Sequence, residues 1–108
     1  MKIDISYNNI TSDEPLEVFI REKIGSLDKI IGHDQGTARV EVGKPSKHHR
    51  SGPIFHAEAN LSLGGNLLRA ESMDSDLRTA IVNVKNELHT QITKFKEKRT
   101  DESRQPKE

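Results

Sequence analysis

The chain contains no cysteine and no tryptophan, and only one tyrosine and three phenylalanines among its 108 residues. Without cysteine there is no disulfide framework and no thiolate-ligated zinc site. No apolar run approaches the roughly 20 residues that a membrane-spanning helix needs. The first residues, Met1-Lys2-Ile3-Asp4-Ile5, lack the apolar centre of a signal peptide, so a cytoplasmic setting is expected. Net charge is missing as well, because 17 Lys and Arg balance 17 Asp and Glu. Hydrophobic residues make up only 31%. Leu, Ile, Val and Phe still number 26, about a quarter of the chain, above the roughly 20% below which chains stay disordered. The expectation is one small domain with a modest core.

Zero net charge conceals an uneven layout. Residues 1–37 carry four basic against seven acidic side chains. Residues 39–56 carry Arg39, Lys44, Lys47 and Arg50 against Glu41 alone, and add His48, His49 and His56. Residues 78–99 carry Arg78, Lys85, Lys94, Lys96, Lys98 and Arg99 against Glu87 and Glu97. Local field, not net charge, attracts phosphate, so two basic regions in a neutral chain keep an anionic partner open.

Hydrophobic periodicity predicts the elements. Ile3, Ile5 and Tyr7 alternate with polar residues, giving a half-buried strand over 2–7. Thr11-Ser12-Asp13 offers N-cap oxygens, and Pro15 suits a first helical turn. From Leu16 to Ile31 apolar residues recur at three- and four-residue spacing, predicting one amphipathic helix over 13–31, ended at Gly32. Ala38, Val40 and Val42 mark a second strand, followed by a polar basic loop over 43–53. The third strand, 55–63, has the clearest alternation; Gly64-Gly65-Asn66 then suits a tight hairpin into a fourth strand over 67–72. A second helix is expected over 74–98, capped by Asp74 or Ser75. The polar tail, 99–108, is expected to be disordered beyond a domain spanning 1–98. The order β-α-β-β-β-α, with one apolar face per strand and one stripe per helix, predicts an α+β fold. In it, two helices pack on one face of a four-stranded sheet, and the helical connection makes the first strand pair parallel.

Few residues mark out chemistry. The open sheet face carries mixed charge and no aromatic ring, so it is not a base-stacking platform. Lys47-His48-His49-Arg50 either grips phosphates or is simply a solvated hairpin end. His48, His49, His56 and His33 have no spacing that fixes a coordination geometry, so no metal site is expected. On the second helix, Arg78, Lys85, His89 and Lys96 fall within about 20° of one line, bordering the apolar stripe. Lys94 and Lys98 are read as lying on the face opposite the core. No activated nucleophile or paired carboxylate is evident, and a one-sided sheet leaves little room for a substrate pocket, so no enzyme activity, small-molecule substrate or cofactor is expected.

Taken in order, short segments throughout the chain resemble a known family. They are Met1-Lys2-Ile3 with Asn9-Ile10; Leu16 through Lys23 to Leu27; Val40-Glu41-Val42-Gly43-Lys44; Lys47-His48-His49; Gly52 with Ile54-Phe55 and Ala57-Glu58; Leu67-Leu68-Arg69-Ala70-Glu71; Asp76-Leu77 with Ala80-Ile81; and Leu88 with Gln91-Ile92-Thr93-Lys94. Over about residues 1–98 the chain resembles the short ribosome hibernation-promoting factors, also known as ribosome-associated translation inhibitors or sigma-factor modulation proteins. The resemblance implies a fold similar to double-stranded-RNA-binding domains. It also implies binding to the small ribosomal subunit near the decoding region, with basic side chains on rRNA, so that mRNA and tRNA sites are blocked in stressed or stationary cells. Long members add a C-terminal dimerisation domain; a chain of this length is expected to act without one, as a monomer or weak dimer. The candidate RNA-binding residues are Lys23, Lys47, His48, His49, Arg50, Arg69, Arg78, Lys85, Lys94, Lys96 and Lys98. Glu87 and Thr90 stand where the family usually has Lys or Arg, and Arg78 replaces a common Tyr. An alternative reading is a protein-interaction module that modulates a transcription factor or other protein without binding RNA, suggested by the acidic first third.

Overall fold

The computed structural model describes residues 1–32, 36–45 and 54–104, with backbone alone from 99 onward. The elements run β1 (Lys2–Asn8), α1 (Glu14–Gly25), α2 (Asp28–Ile31), β2 (Gly36–Gly43), β3 (Phe55–Leu63), β4 (Asn66–Asp74) and α3 (Leu77–Arg104). The four strands form one sheet in the order β1-β2-β3-β4. β1 and β2 are parallel and joined through α1 and α2, whereas β2, β3 and β4 form an antiparallel meander. This is the α+β architecture that the alternation predicts.

One face of the sheet is covered. Ala38, Val40, Val42, Ala57, Ala59, Leu61, Leu63 and Ala70 are buried against Leu16, Ile20, Ile24, Leu27 and Ile31 of the first helical segment and Ala80, Ile81, Val84, Leu88 and Ile92 of α3. Among the described residues, no polar or charged side chain is buried. Fully burying a Leu or Ile contributes about 1.5–3 kcal/mol, so these aliphatics dominate the stability of a domain this small. Alanines at the inward positions of β3 and β4 keep that surface low where α3 crosses it.

The first helix departs from expectation at Gly25-Ser26. The Asp13 carboxylate caps α1 by accepting the Leu16 amide at 2.8 Å. At the other end Ser26 Oγ donates to the Lys23 carbonyl at 2.6 Å, and the Leu27 amide bonds to Ile24 instead of the residue four back. The tightened turn swings the chain into the four-residue α2, so that Leu27 and Ile31 both stay buried. A Gly-Ser pair is a common site for such a break.

The α3 cap is also displaced. Asp76, not Asp74 or Ser75, accepts the Thr79 amide at 3.3 Å and the Thr79 hydroxyl at 2.7 Å. The hydroxyl bond is the chief reason its carboxyl lies below the usual value, with the Thr79 and Arg78 amides and the Arg78 charge adding to it. Asp74 instead accepts the Asp76 amide at 2.9 Å. The helix then runs on to Arg104, past the expected end at residue 98. Residues 105–108 lie outside the described residues.

Three glycines are dictated by geometry. Gly64 and Gly65 adopt φ of 55° and 80°, the left-handed pair of a two-residue hairpin. A Cβ at Gly43 would fall on the Asn8 carbonyl, because β1 and β2 end in close contact there. Both sheet edges are partly closed by helix side chains: Arg21 donates to the Ile3 carbonyl at 3.1 Å, and Gln91 to the Arg69 carbonyl at 2.8 Å.

Candidate nucleic-acid interface

The cations of the helical layer sort onto two flanks of α3. With the apolar stripe turned to the sheet, residues 78, 85, 89 and 96 fall on the flank facing α1 and α2. Contacts fix this orientation. The Arg78 guanidinium lies 4.8 Å from the centroid of the Phe19 ring on α1, and Lys96 Nζ donates to the Ile30 carbonyl on α2 at 2.7 Å. Lys23 reaches the same Phe19 ring, its Nζ 5.5 Å from the centroid. Phe19 therefore gathers Lys23 and Arg78 from different helices, about 55 positions apart in sequence, and holds them by cation–π contact. Lys85 and His89 continue the line toward Lys96, so the seam between α1/α2 and α3 is edged with positive charge.

The second flank overhangs β4. Asn83 donates to Ser72 Oγ at 3.1 Å, and Gln91 donates to the Arg69 carbonyl and, at 3.1 Å, to Glu87. Lys94 and Lys98 follow on this side, three and seven positions beyond Gln91. At 100° per residue they fall about 110° and 70° from the apolar stripe on that side, not opposite the core as read from the sequence. Glu87 is turned toward Gln91, and Thr90 bonds back to the Asn86 carbonyl. The two flanks are separate lines about one helix diameter apart.

Arg69 does not join either. It projects from the open face of the sheet, on the far side from the helices, and pairs with Glu58 at 3.0 Å and Glu71 at 3.6 Å. By contrast, among the described residues, no carboxylate pairs with Lys23, Arg78, Lys85, Lys94 or Lys98. Lys47, His48, His49 and Arg50 lie outside the described residues, as does His33. The base of their loop carries a cation that the candidate set omitted: Lys44, whose Nζ lies 5.6 Å from the Phe55 centroid. The signal for it was the Lys-Pro pair leaving the second strand opposite an aromatic residue at the start of the third.

The chain matches the family model described as sigma 54 modulation protein / S30EA ribosomal protein over residues 3–100. It belongs to this family. Membership associates the sigma 54 modulation/S30EA chain with the ribosome. Among solved structures it is similar to the Thermus thermophilus Protein Y N-terminal domain, with 26% identity and a TM-score of 0.77 over 88% of this chain and 99% of that one. It is also similar in fold to a ribosomal subunit interface protein from Coxiella burnetii, at 17% identity and a TM-score of 0.74, over 89% of this chain and 98% of that one. No curated protein sequence matches it significantly. The α+β fold of the S30EA chain is thus shared with the Protein Y N-terminal domain and the subunit interface protein.

Proposed function

We propose that the protein binds the small ribosomal subunit near the decoding region and inhibits translation by occupying the path of mRNA and tRNA. The observation that carries this reading is the alignment of cations on the helical layer. Lys23, Arg78, Lys85, Lys94 and Lys98 stand there without carboxylate partners among the described residues, whereas on the sheet face Arg69 is paired with two glutamates and Arg39 is the one arginine without an ion pair. An array of lysines and arginines spaced along a rigid helix suits the phosphate backbone of folded RNA, which is recognised by shape and charge. Family membership supplies the ribosome as the RNA concerned. Inhibition then needs no chemistry. A domain wedged where mRNA and tRNA pass excludes them by volume.

The test is cosedimentation of the tagged protein with purified small subunits, followed by reconstituted translation of a short message. The expected result is a stable small-subunit complex at low salt and inhibition that excess mRNA and initiator tRNA relieve. Absence from the small-subunit fraction at low salt would overturn the reading. So would a complex that survives while translation proceeds at full rate.

A further inference from the structure

The open face of the sheet, on the far side from the helical cations, carries a different chemistry. Among the described residues, one group of three metal-ligating side chains converges, His56, Glu58 and Glu71, whose donor atoms all lie within 4.8 Å of one another. The strand geometry produces it. His56 and Glu58 are two positions apart on β3 and so share a face. Glu71 faces Glu58 directly from β4, and its Oε2 lies 3.5 Å from His56 Nε2. His56 and Glu58 are sheltered, with side chains 23% and 20% exposed, while Glu71 opens to solvent.

A second observation is that carboxylates crowd together at this place. Glu41 faces Glu58 from the other side, so Glu41, Glu58 and Glu71 form one line across three adjacent strands. Like charges directly opposite one another destabilise a sheet. Glu41 accepts a hydrogen bond from the neutral Asn8 amide, and one guanidinium, Arg69, is divided between Glu58 and Glu71. Of the two arginines in the neighbouring row, only Arg69 forms ion pairs with these carboxylates, and Arg39, beside Glu41, forms none.

We propose that His56, Glu58 and Glu71 bind a first-row transition-metal dication of the zinc class, with Arg69 moving aside as the ion enters. One imidazole nitrogen with two carboxylates suits such an ion, whereas Mg²⁺ and Ca²⁺ favour oxygen-only sets. Three protein ligands leave a coordination position for water on the solvent side. A tetrahedral shell with ligands at about 2.0–2.2 Å brings donors to about 3.5 Å of each other, so the glutamates must draw in by rotamer changes that their exposure permits. Asn60 Nδ2, 3.4 Å from Glu58 Oε1, orients that ligand from the outer shell. Arg69 acts as the resident counter-ion. It competes with the metal for the same oxygens, which limits affinity and gives the proposal a signature of its own.

The experiment is calorimetric titration of the untagged full-length chain with Zn²⁺ at pH 7.5, with Co²⁺-induced broadening of amide resonances to locate the ion. Expected are saturable binding with broadening centred on β3 and β4, at least tenfold weaker binding in His56→Ala and in Glu71→Gln, and tighter binding in Arg69→Gln. The melting temperature of each metal-free variant separates lost ligands from lost fold. The proposal is overturned if the wild-type chain does not bind, if His56→Ala binds as well as wild type, or if Arg69→Gln weakens binding. Because the site is across the sheet from the helical cations, its failure would leave the ribosome reading untouched.

Discussion

The salt dependence of small-subunit binding should count the helical cations. Each lysine or arginine that neutralises a phosphate releases counterions, and the slope of log K against log salt is about −0.7 to −0.9 per contact on simple nucleic acids. If Lys23, Arg78, Lys85, Lys94 and Lys98 all engage, the slope is about −3.5 to −4.5, and affinity falls roughly 130- to 500-fold between 50 and 200 mM salt. Lys94→Gln with Lys98→Gln removes the two contacts of the β4-side flank. The slope should shrink to about −2.1 to −2.7, and the loss over the same salt range to roughly 20- to 40-fold. Lys23→Gln with Arg78→Gln empties the Phe19 cluster on the other flank and should have an effect of equal size. Arg69→Gln should leave the slope unchanged, because that guanidinium sits on the opposite face and is already paired with Glu58 and Glu71. The assay is fluorescence anisotropy of the labelled protein against purified small subunits across a salt series. A wild-type slope shallower than about −1.5 would refute the argument that the helical layer is the phosphate-binding surface. An Arg69→Gln change as large as that of either helical pair would refute the assignment of faces.

Three further outcomes follow from the fold. Leu88→Ala empties a fully buried position on the inner face of α3 and should lower the stability measured by urea denaturation by about 2–5 kcal/mol. Gly43→Ala drives a Cβ onto the Asn8 carbonyl and should cost about 1–3 kcal/mol by the same assay, while Ser62→Ala, at an exposed position of β3, should be near neutral. The Asp76 carboxyl is held below its ordinary value, 3.8, in the folded chain, so its contribution is fully present above that value and disappears as pH falls through the lowered one. The difference in melting temperature between wild type and Asp76→Ala should therefore persist from neutral pH down to about 5 and close as acid protonates the cap; a difference that does not vary with pH would contradict the charged-cap account.

Most of the architecture was legible because the signals that specify it are local. Alternation in Ile3-Asp4-Ile5 or Ala57-Glu58-Ala59 assigns a strand and its buried face together, and a helix between the first two strands implies their parallel pairing. The misplaced features each needed information beyond the repeat. The apolar stripe of 16–31 continues unbroken through Gly25-Ser26, so periodicity could not show that the backbone tightens there. Asp74, Ser75 and Asp76 are all competent caps, and only the three-dimensional entry of β4 into α3 selects Asp76. Beyond Phe95 the last helix loses its apolar stripe, leaving nothing in the pattern to distinguish helix from coil. Arg69 looked like any other candidate cation, because its neutralisation depends on the β3–β4 register that sets it beside Glu58 and Glu71.

The same register explains how a chain of zero net charge can serve an anionic partner. A uniformly basic domain of this size would bind any phosphate surface and repel itself on folding. Here part of the sheet's charge is retired on its own face: Arg69 is shared by Glu58 and Glu71, and Asn8 holds Glu41. On α1, Arg21 pairs with Glu17 at 3.2 Å, on the side away from α3. Among the described residues, cations without an ion pair line α3 and the Phe19 cluster, while Lys2, Lys29, Arg39 and Lys44 stand singly elsewhere. Long-range attraction is then weak, since from beyond roughly 8 Å in physiological salt the molecule is nearly neutral. Attraction becomes strong only when the helical layer is docked within that range. Affinity should consequently depend on shape fit as well as charge. Replacing Glu87 by Lys, which adds a cation to the Lys94 and Lys98 flank, tests this directly. It should strengthen binding to duplex RNA of arbitrary sequence more than it strengthens binding to the small subunit, and an equal gain on both would mean that the subunit is recognised by charge alone.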